Sequence, residues 1–333
     1  MSMVKLNKPA KLTNGNKVKC VARSISSESR RGTENPKVVV TTLNEMHRET
    51  GIKNLCKIEE ELVREYVNVL VNRVDNEEIE PGTATNRISA LNRILEYAER
   101  NDLRVSAKEY GLSKEQTDPT NKANDRTQAA AYRSWLQDKG QNDPRYMNLY
   151  HSRTLQAEFG LRARESYAVK IASKNTTGGK LILGRPDCTK NSRPREVEIT
   201  KESQGLALAS AKAWGISQGQ RSLIPEGYTL KQWMDFANNT LKQFNRETGY
   251  GLNNHGERHY YAHERYKELW QKQGHDVKCP AEMGVEREDW LEHMKLETGL
   301  SQKDLLALEK QVRLAVSEDL GHSRVSITKT YLG

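Results

Sequence analysis

Apolar residues recur at helical spacing over most of this 333-residue chain, and that periodicity constrains the fold more than any other feature. One such stripe, in segment 58–73, consists of Leu62, Tyr66, Val69 and Leu70. Another, in segment 86–100, consists of Ile88, Leu91, Ile94 and Leu95. Only Lys180–Leu183 and Glu196–Ile199 have the pattern of short strands. The sequence therefore predicts a mainly α chain with a small β-sheet.

A polar segment, 112–127, interrupts the periodic pattern and contains Pro119. Such a segment is typical of a linker between domains, which usually contain about 100–200 residues each. We therefore predict a helical domain over 38–111, a linker over 112–127 and a larger domain over 128–333. Residues 1–37 precede the first helical pattern and form a separate basic arm in this interpretation.

Positive charge is concentrated in that arm. The chain has 53 Lys and Arg against 44 Asp and Glu, a net charge of +9. Residues 1–37 contain nine Lys or Arg and only two Glu, so they carry most of this excess. The arm is either a solvated, flexible terminus or a segment that follows phosphate groups, and nucleic acid is the partner that such charge favours.

Other features exclude several classes of protein. No run of about 18 apolar residues predicts a membrane-spanning helix, and the N-terminal residues lack the apolar core of a secretory signal. The four cysteines are far apart without a CxxC pair, which argues against a cysteine zinc site or a disulfide framework. The sequence therefore predicts a protein of the reducing cytoplasm.

Two basic motifs lie in the first half of the larger domain. In the first, Arg162 and Glu165 are one turn apart at the start of a predicted helix, where a bound anion would also meet backbone N–H groups. In the second, Lys190, Arg193 and Arg195 lie between the two predicted strands, at the tip of a hairpin. Taken singly, a surface ion pair and a solvated turn explain these two motifs better than a functional site does.

Two further motifs contain histidine. In the first, His255 and Arg258 are on one face of a predicted helix, a spacing that suits two donors to one phosphate. In that helix His259 and His263 extend the series at intervals of four, but no HExxH pattern supports a metal site, and we assign His259 a packing role. The last motif has His322 nine residues before Tyr331.

Together, and in this order, the four motifs resemble those of the tyrosine recombinases, the phage-integrase family. They read GLRxxE (Gly160–Glu165), TKxxRPREV (Thr189–Val197), HxxRHxxA (His255–Ala262) and LGHxxxxxTxxY (Leu320–Tyr331). The resemblance covers about 125–333 and extends more weakly to 38–111, where the stretch Gly82–Tyr97 is similar to part of the helical core-binding domain of the family. It implies a helical core-binding domain followed by a mixed α/β catalytic domain.

The resemblance also implies a role for each matched residue in a reaction that needs no metal ion and no cofactor. Tyr331 would attack a DNA phosphodiester to form a 3′-phosphotyrosyl bond. The catalytic set would be Arg162, Lys190, His255, Arg258, His322 and Tyr331. Glu165 would have a structural role beside Arg162.

Two departures from the family pattern follow. The interval from His255 to His322 is longer than usual in the family, so we expect an insertion at about 271–310, forming an added lobe or a protein contact. Only Leu332 and Gly333 follow Tyr331, whereas many relatives have a C-terminal segment that docks on a neighbouring protomer. The resemblance does not predict that mode of assembly here.

The predicted function is site-specific recombination of DNA by the integrase of a bacterial mobile element, near the nucleoid. The partners would be double-stranded core sites, three further copies in a homotetramer, and an accessory excision or DNA-bending factor. The predicted DNA contacts are Lys17, Lys19, Arg30, Arg31, Arg87, Arg93, Arg193 and Arg195. A type IB topoisomerase and a regulator that binds DNA without cleaving it are the alternatives.

Overall fold

The computed structural model describes residues 9–28, 36–112, 121–170, 176–183, 195–322 and 324–333. Contacts within the chain divide it into two compact units, with the boundary between Gln116 and Thr117. We call these the N-terminal unit and the C-terminal unit. The boundary falls within the polar segment 112–127, where few apolar side chains are available to extend either core.

The N-terminal unit is helical in the part that the structure describes. Its helices are α1 (Gly15–Glu28), α2 (Pro36–Thr50), α3 (Glu60–Asp75) and α4 (Pro81–Tyr97). Helix α4 begins with proline at its first position, where no backbone N–H is needed. The helices pack their apolar stripes into one core, whose members include Leu43, Tyr66, Val67, Leu70, Leu91 and Leu95.

The first described residues of the chain differ from the predicted basic arm. Leu12 is fully buried, and its backbone N–H donates to the carbonyl of Lys53 at 2.8 Å. Helix α1 then buries a stripe of residues at helical spacing, formed by Val18, Val21, Ala22 and Ile25. Residues 9–28 therefore belong to the core of the N-terminal unit, because this apolar stripe needs a partner. The lysine and arginine residues of this segment mask its apolar periodicity in the sequence.

The C-terminal unit contains the remaining helices and strands. Before the sheet lie α5 (Arg126–Gly140), α6 (Pro144–Phe159) and α7 (Ala163–Ala168). After the sheet come α8 (Glu202–Ser217), α9 (Leu230–Thr248) and α10 (Gly256–Gln271). The last helices are α11 (Pro280–Met283), α12 (Arg287–Thr298), α13 (Gln302–Asp319) and α14 (Lys329–Leu332).

The sheet has three antiparallel strands in the order β1 (Thr176–Thr177), β2 (Lys180–Leu183) and β3 (Arg195–Glu198). Strand β2 pairs with β3 in a register that places Leu181 opposite Val197. Both of these side chains are buried in the main core of the unit. The predicted fold class, mainly α with a small sheet, is confirmed. Among the described residues, no helix is both long and apolar enough to cross a membrane.

The predicted insertion at 271–310 is part of the core of the C-terminal unit. Trp290 and Met294 of α12 and Leu305 of α13 are buried in the same cluster as Trp270 of α10. The indole N–H of Trp290 donates to the carbonyl of Lys278 at 2.7 Å. The expectation of an added lobe is therefore wrong for these residues, because their large apolar side chains complete the core around α10.

Replacing Leu12 tests whether the first described residues contribute to folding. We expect Leu12→Ala to lower the free energy of unfolding of the N-terminal unit by about 2–5 kcal/mol, because it leaves a cavity in the core. Urea titration followed by far-UV circular dichroism measures this change. The matched control is Lys11→Ala at an exposed position, which should leave the transition in place. Equal stability of the two variants would show that this segment is a detached arm.

Candidate active site

Arg162 stands at the start of α7, directly after a glycine-containing turn. Gly160 ends α6 with φ of +58°, and a Cβ there would lie 2.5 Å from the ring of Tyr261, so only glycine fits. The backbone N–H of Arg162 donates to Glu165 Oε2 at 2.9 Å. Its guanidinium donates to Glu165 Oε1 at 2.6 Å, which fixes the side chain. Glu165 thus contacts the backbone and the side chain of Arg162 directly.

Arg258 lies near the start of α10 and is fully buried. Its two terminal nitrogens donate to the carbonyl oxygens of Gly160 and Leu320. Its Nε donates to the hydroxyl oxygen of Tyr331 at 3.0 Å. Burial lowers the pKa of Arg258 to about 10, with the hydroxyl of Tyr331 opposing this shift, so the guanidinium is charged at neutral pH. One arginine thus connects both glycine-containing turns to the tyrosine.

His322 lies between the two arginines. Its Nε2 is 3.2 Å from Arg162 Nη2 and 3.4 Å from Arg258 Nη2. Arginine only donates hydrogen bonds, so Nε2 accepts and the neutral imidazole has its proton on Nδ1. The turn that presents it contains Gly321 with φ of +71° and is closed by the N–H of His322 donating to Ser317 at 2.8 Å.

Tyr331 lies on the short helix α14 and its side chain is almost buried. The ring of His259 lies 4.8 Å from the tyrosine ring, centre to centre. Burial lowers the pKa of His259 to about 4, so it is neutral near pH 7. His259 thus packs against the ring of Tyr331.

Arg195 is a correction to the sequence-based prediction. It was placed at the tip of a DNA-contacting hairpin, but it begins β3 and is only 7% exposed. Its Nη2 donates to Glu165 Oε2 at 2.6 Å, and its Nη1 donates to the carbonyl of Asp319. Alternation along β3 explains the difference, since Arg195 and Val197 share the buried face.

The electrostatic balance of this cluster favours an anion. Burial would raise the pKa of Glu165, but the charges of Arg195 and Arg162 outweigh it and lower the pKa below its usual value. Glu165 is therefore a carboxylate among three guanidinium groups, those of Arg162, Arg195 and Arg258. The group retains excess positive charge in a mostly dry environment, where its field is weakly screened.

Two histidines of these motifs remain, of which His255 is a predicted catalytic residue and His263 belongs only to the histidine series. His255 immediately precedes α10, and its side chain is exposed. His263 is buried, and its Nε2 lies 2.8 Å from the backbone carbonyl oxygen of Tyr331. Four predicted residues lie outside the described ones, namely Arg30, Arg31, Lys190 and Arg193.

The predicted DNA contacts of the N-terminal unit differ in exposure. Lys17 and Lys19 of α1 are exposed. Arg93 is partly exposed and lies 3.5 Å from Glu96. Arg87 is predicted to face solvent, but its Nε lies 3.1 Å from the carboxylate of the largely buried Glu45. This ion pair gives Arg87 a structural partner within its own unit.

Asn124 is a supporting residue that the sequence analysis missed. Its side-chain oxygen accepts from the N–H of Asn253 at 3.1 Å, and its amide donates to the Asn253 carbonyl at 3.1 Å. A Cβ on Gly256 would lie 1.9 Å from that same oxygen. Asn124 therefore fixes the turn that starts α10 and positions Arg258. A polar residue in a predicted linker gives no signal of such a role.

Comparisons with known proteins identify the fold. No family model matches the chain, and no curated protein does. The solved structure of the XerH site-specific recombinase bound to its palindromic difH substrate superimposes with a TM-score of 0.56 and 14% identity, covering 96% of this chain and 80% of that one. A lambda integrase tetramer bound to a Holliday junction gives 0.50 and 12%, covering 79% and 75%. A lambda integrase dimer bound to a COC′ core site gives 0.50 and 13%, covering 80% and 76%. The chain has the fold of the tyrosine recombinases.

Glu165 provides a test of the buried charge cluster. We expect Glu165→Gln to lower the free energy of unfolding by about 3–5 kcal/mol at pH 7, because it leaves buried guanidinium groups without their counter-charge. The lowered pKa means that the carboxylate stabilises the fold above its unfolded-state pKa of 4.5 and ceases to do so as the pH falls through the folded-state value. The difference between variant and wild type should therefore shrink in acid.

The measurement is urea unfolding at pH 7 and at progressively lower pH, followed by tryptophan fluorescence. Glu226→Gln is the matched control, because Glu226 is an exposed carboxylate of the same unit. A difference between wild type and Glu165→Gln that stays constant with pH would mean that the charge of Glu165 is unimportant.

Proposed function

We propose that this protein is a site-specific tyrosine recombinase that cleaves and rejoins DNA through a 3′-phosphotyrosyl intermediate. The observation that carries the proposal is the hydrogen bond from Arg258 Nε to the Tyr331 hydroxyl oxygen, 3.0 Å long, inside a cluster that also contains Arg162 and His322. This arrangement brings a tyrosine hydroxyl and several N–H donors to one point, which supports the proposed attack on a phosphodiester. The fold shared with DNA-bound recombinases supports the same conclusion.

The two arginines would supply most of the transition-state stabilisation. Attack on a phosphodiester places additional negative charge on the non-bridging oxygens of a pentacoordinate phosphorus, and fixed donors stabilise that charge. Arg162 has N–H groups beyond those it gives to Glu165 and His322. Arg258 has a further Nη1 N–H beyond those it gives to the two backbone carbonyls, Tyr331 and His322. Because both side chains are already fixed by these bonds, little reorganisation is needed when DNA binds.

Transfer of the tyrosine proton and protonation of the leaving 5′ oxygen complete the proposed reaction. The Tyr331 oxygen forms a bond to phosphorus, the bond to the 5′ oxygen breaks, and the tyrosine proton passes to a base, for which we propose His255. Lys190 would protonate the leaving 5′ oxygen. His322 Nε2 accepts from the arginines in the free protein, so donation to the phosphate requires a proton there, which the entering anion favours.

The product conserves the energy of the phosphodiester bond. A 5′ hydroxyl from another strand can attack the phosphotyrosine and reverse the step, so strand exchange needs no ATP. We propose that a homotetramer joins two core sites in this way and that the element integrated or excised is a bacterial mobile element. Exposed Lys17 and Lys19 are candidates for phosphate contacts, and an accessory factor would bend the DNA.

Replacing the nucleophile tests the reaction directly. We expect wild-type protein to form covalent adducts with DNA from its own source and Tyr331→Phe to form none, because phenylalanine has no hydroxyl. The proteins are incubated with sheared genomic DNA and quenched in SDS, and the retained DNA is sequenced. Tyr250→Phe is the matched control, since it removes a tyrosine hydroxyl from the same unit but should form adducts normally.

The distribution of adducts separates the proposal from its alternatives. Adducts at one or a few loci support a site-specific recombinase, whereas adducts scattered over the genome indicate a topoisomerase. If wild type retains no genomic DNA, the next substrate is a nicked duplex, from which cleavage releases the fragment that carries the 5′ hydroxyl. Rejoining is then impossible, so the covalent adduct accumulates even when cleavage is slow or is normally reversed. Absence of adducts on that substrate too, with retained DNA binding, would indicate a regulator.

Arg162 and Arg258 together form what we call the phosphate clamp, and replacing Arg162 tests it. We expect Arg162→Ala to reduce the cleavage rate about 10²–10³-fold, equivalent to about 2.7–4 kcal/mol of transition-state stabilisation. The rate is measured in a single turnover on the duplex recovered above. Arg164→Ala removes an exposed arginine two residues away and should cleave at nearly the wild-type rate. Equal loss in both variants would point to general electrostatic attraction of DNA instead.

A further inference from the structure

A second cluster of reactive side chains lies in the C-terminal unit, outside the proposed phosphate clamp. His263 of α10, Cys279 and Glu282 of α11 bring an imidazole nitrogen, a thiol and a carboxylate oxygen within 4.8 Å of one another. It is the one group of three such ligands found in the described part of the chain. It differs from the histidine series considered in the sequence analysis, of which it contains only His263.

We propose that His263, Cys279 and Glu282 bind one zinc ion. A thiolate, an imidazole and a carboxylate are all ligands of Zn²⁺, and water completes the usual four-coordinate shell. The thiolate disfavours Mg²⁺ and Ca²⁺, which prefer oxygen ligands alone. The proposal is independent of the proposed recombination chemistry, because none of these three side chains belongs to the phosphate clamp.

The tautomer of His263 suits this role. Its Nε2 lies 2.8 Å from the backbone carbonyl oxygen of Tyr331, and a carbonyl can only accept a hydrogen bond. Nε2 therefore carries the proton, and the lone pair of the neutral ring is on Nδ1, where a metal can bind. Histidine ligands of metals usually donate their other N–H to a carbonyl or carboxylate in this manner.

Cys279 supplies the thiolate that makes the site favour Zn²⁺ over Mg²⁺ and Ca²⁺. The thiol is fully buried at the start of α11, and burial raises its pKa to about 12. Zinc would replace the thiol proton, which leaves to solvent. The resulting thiolate and the Glu282 carboxylate together balance the two positive charges of the ion. The filled site is therefore neutral, which limits the cost of placing charge in this interior.

The three ligand atoms, which lie within 4.8 Å of one another, need to move only slightly closer together to bind zinc. Ligand atoms around a tetrahedral zinc ion with bonds of about 2.0–2.3 Å lie roughly 3.6 Å apart. Glu282 is half-buried and lies on a four-residue helix that ends at Gly284 with φ of +67°. Its side chain can rotate towards the more deeply buried His263 and Cys279, so closing the site does not require moving α10.

A metal here would hold the segment that contains Tyr331. It would join α10 to α11, and through His263 it would fix the backbone carbonyl of Tyr331 on α14. The C-terminal residue is held nearby by Arg313, which donates to the carbonyl of Gly333 at 2.8 Å. The ion would therefore act as a structural brace beside the nucleophile and take no part in phosphoryl transfer.

Cobalt substitution tests the site with a spectroscopic signal that does not depend on activity. We expect the purified full-length protein, stripped of metal and titrated with Co²⁺, to bind one ion and to develop a thiolate-to-cobalt charge-transfer band. Zn²⁺ should displace that band stoichiometrically and raise the thermal unfolding temperature, whereas Mg²⁺ should do neither. Tyr331→Phe should bind Co²⁺ as wild type does, so the outcome is separate from that of the cleavage assay.

Variants identify the ligands. Cys279→Ala should abolish the charge-transfer band, and Glu282→Gln, at a half-buried position where folding is not at risk, should weaken Co²⁺ affinity at least about tenfold. The matched control replaces Cys20, Cys56 and Cys188 with alanine and retains Cys279, so it should keep the band. Absence of the band in wild type, or its persistence in Cys279→Ala, would overturn the proposal.

Discussion

The buried carboxylate of Glu165 is the interaction on which the candidate active site depends. It accepts hydrogen bonds of 2.6 Å from both Arg162 and Arg195, and its side chain is fully buried. Without this charge, the guanidinium groups of the cluster would repel one another in a weakly screening interior. With it, the arginines stay fixed and the cluster stays positive. The cluster thus offers fixed N–H donors and excess positive charge, as the proposed binding of a phosphodiester requires.

Arg258 connects this cluster to Tyr331, the proposed nucleophile. Its guanidinium donates to the carbonyls of Gly160 and Leu320, which belong to turns separated by 160 residues of chain. Both turns need glycine, because Gly160 and Gly321 have positive φ. The same guanidinium donates to Tyr331, so the position of the hydroxyl follows from the two turns. Donors that are held in place before the reaction are those that stabilise a transition state best.

The sequence predicted the helices and the sheet because periodicity is a local signal, and motif spacing singled out Arg162, Arg258, His322 and Tyr331, which the structure brings together. It predicted Arg195 wrongly, since a basic residue in a basic loop resembles a solvent-exposed one. The alternation of Arg195 with Glu196 and Val197 contained the correct signal, as Val197 had to face the core. The same holds for Leu12 and α1, where a high density of lysine obscured an apolar stripe. The buried partner of a charge depends on tertiary contacts that no local pattern contains.

Helix α10 supports Tyr331 at two different places. Arg258, in its first turn, reaches the hydroxyl, and His263, further along the helix, reaches the backbone carbonyl. The side chain and the main chain of Tyr331 are therefore held by one helix, which limits the movement of the hydroxyl relative to the arginines. A zinc ion on His263 would act only on the second of these contacts. Metal binding would therefore change how firmly α14 is held, while Arg162, Arg258 and His322 keep their geometry.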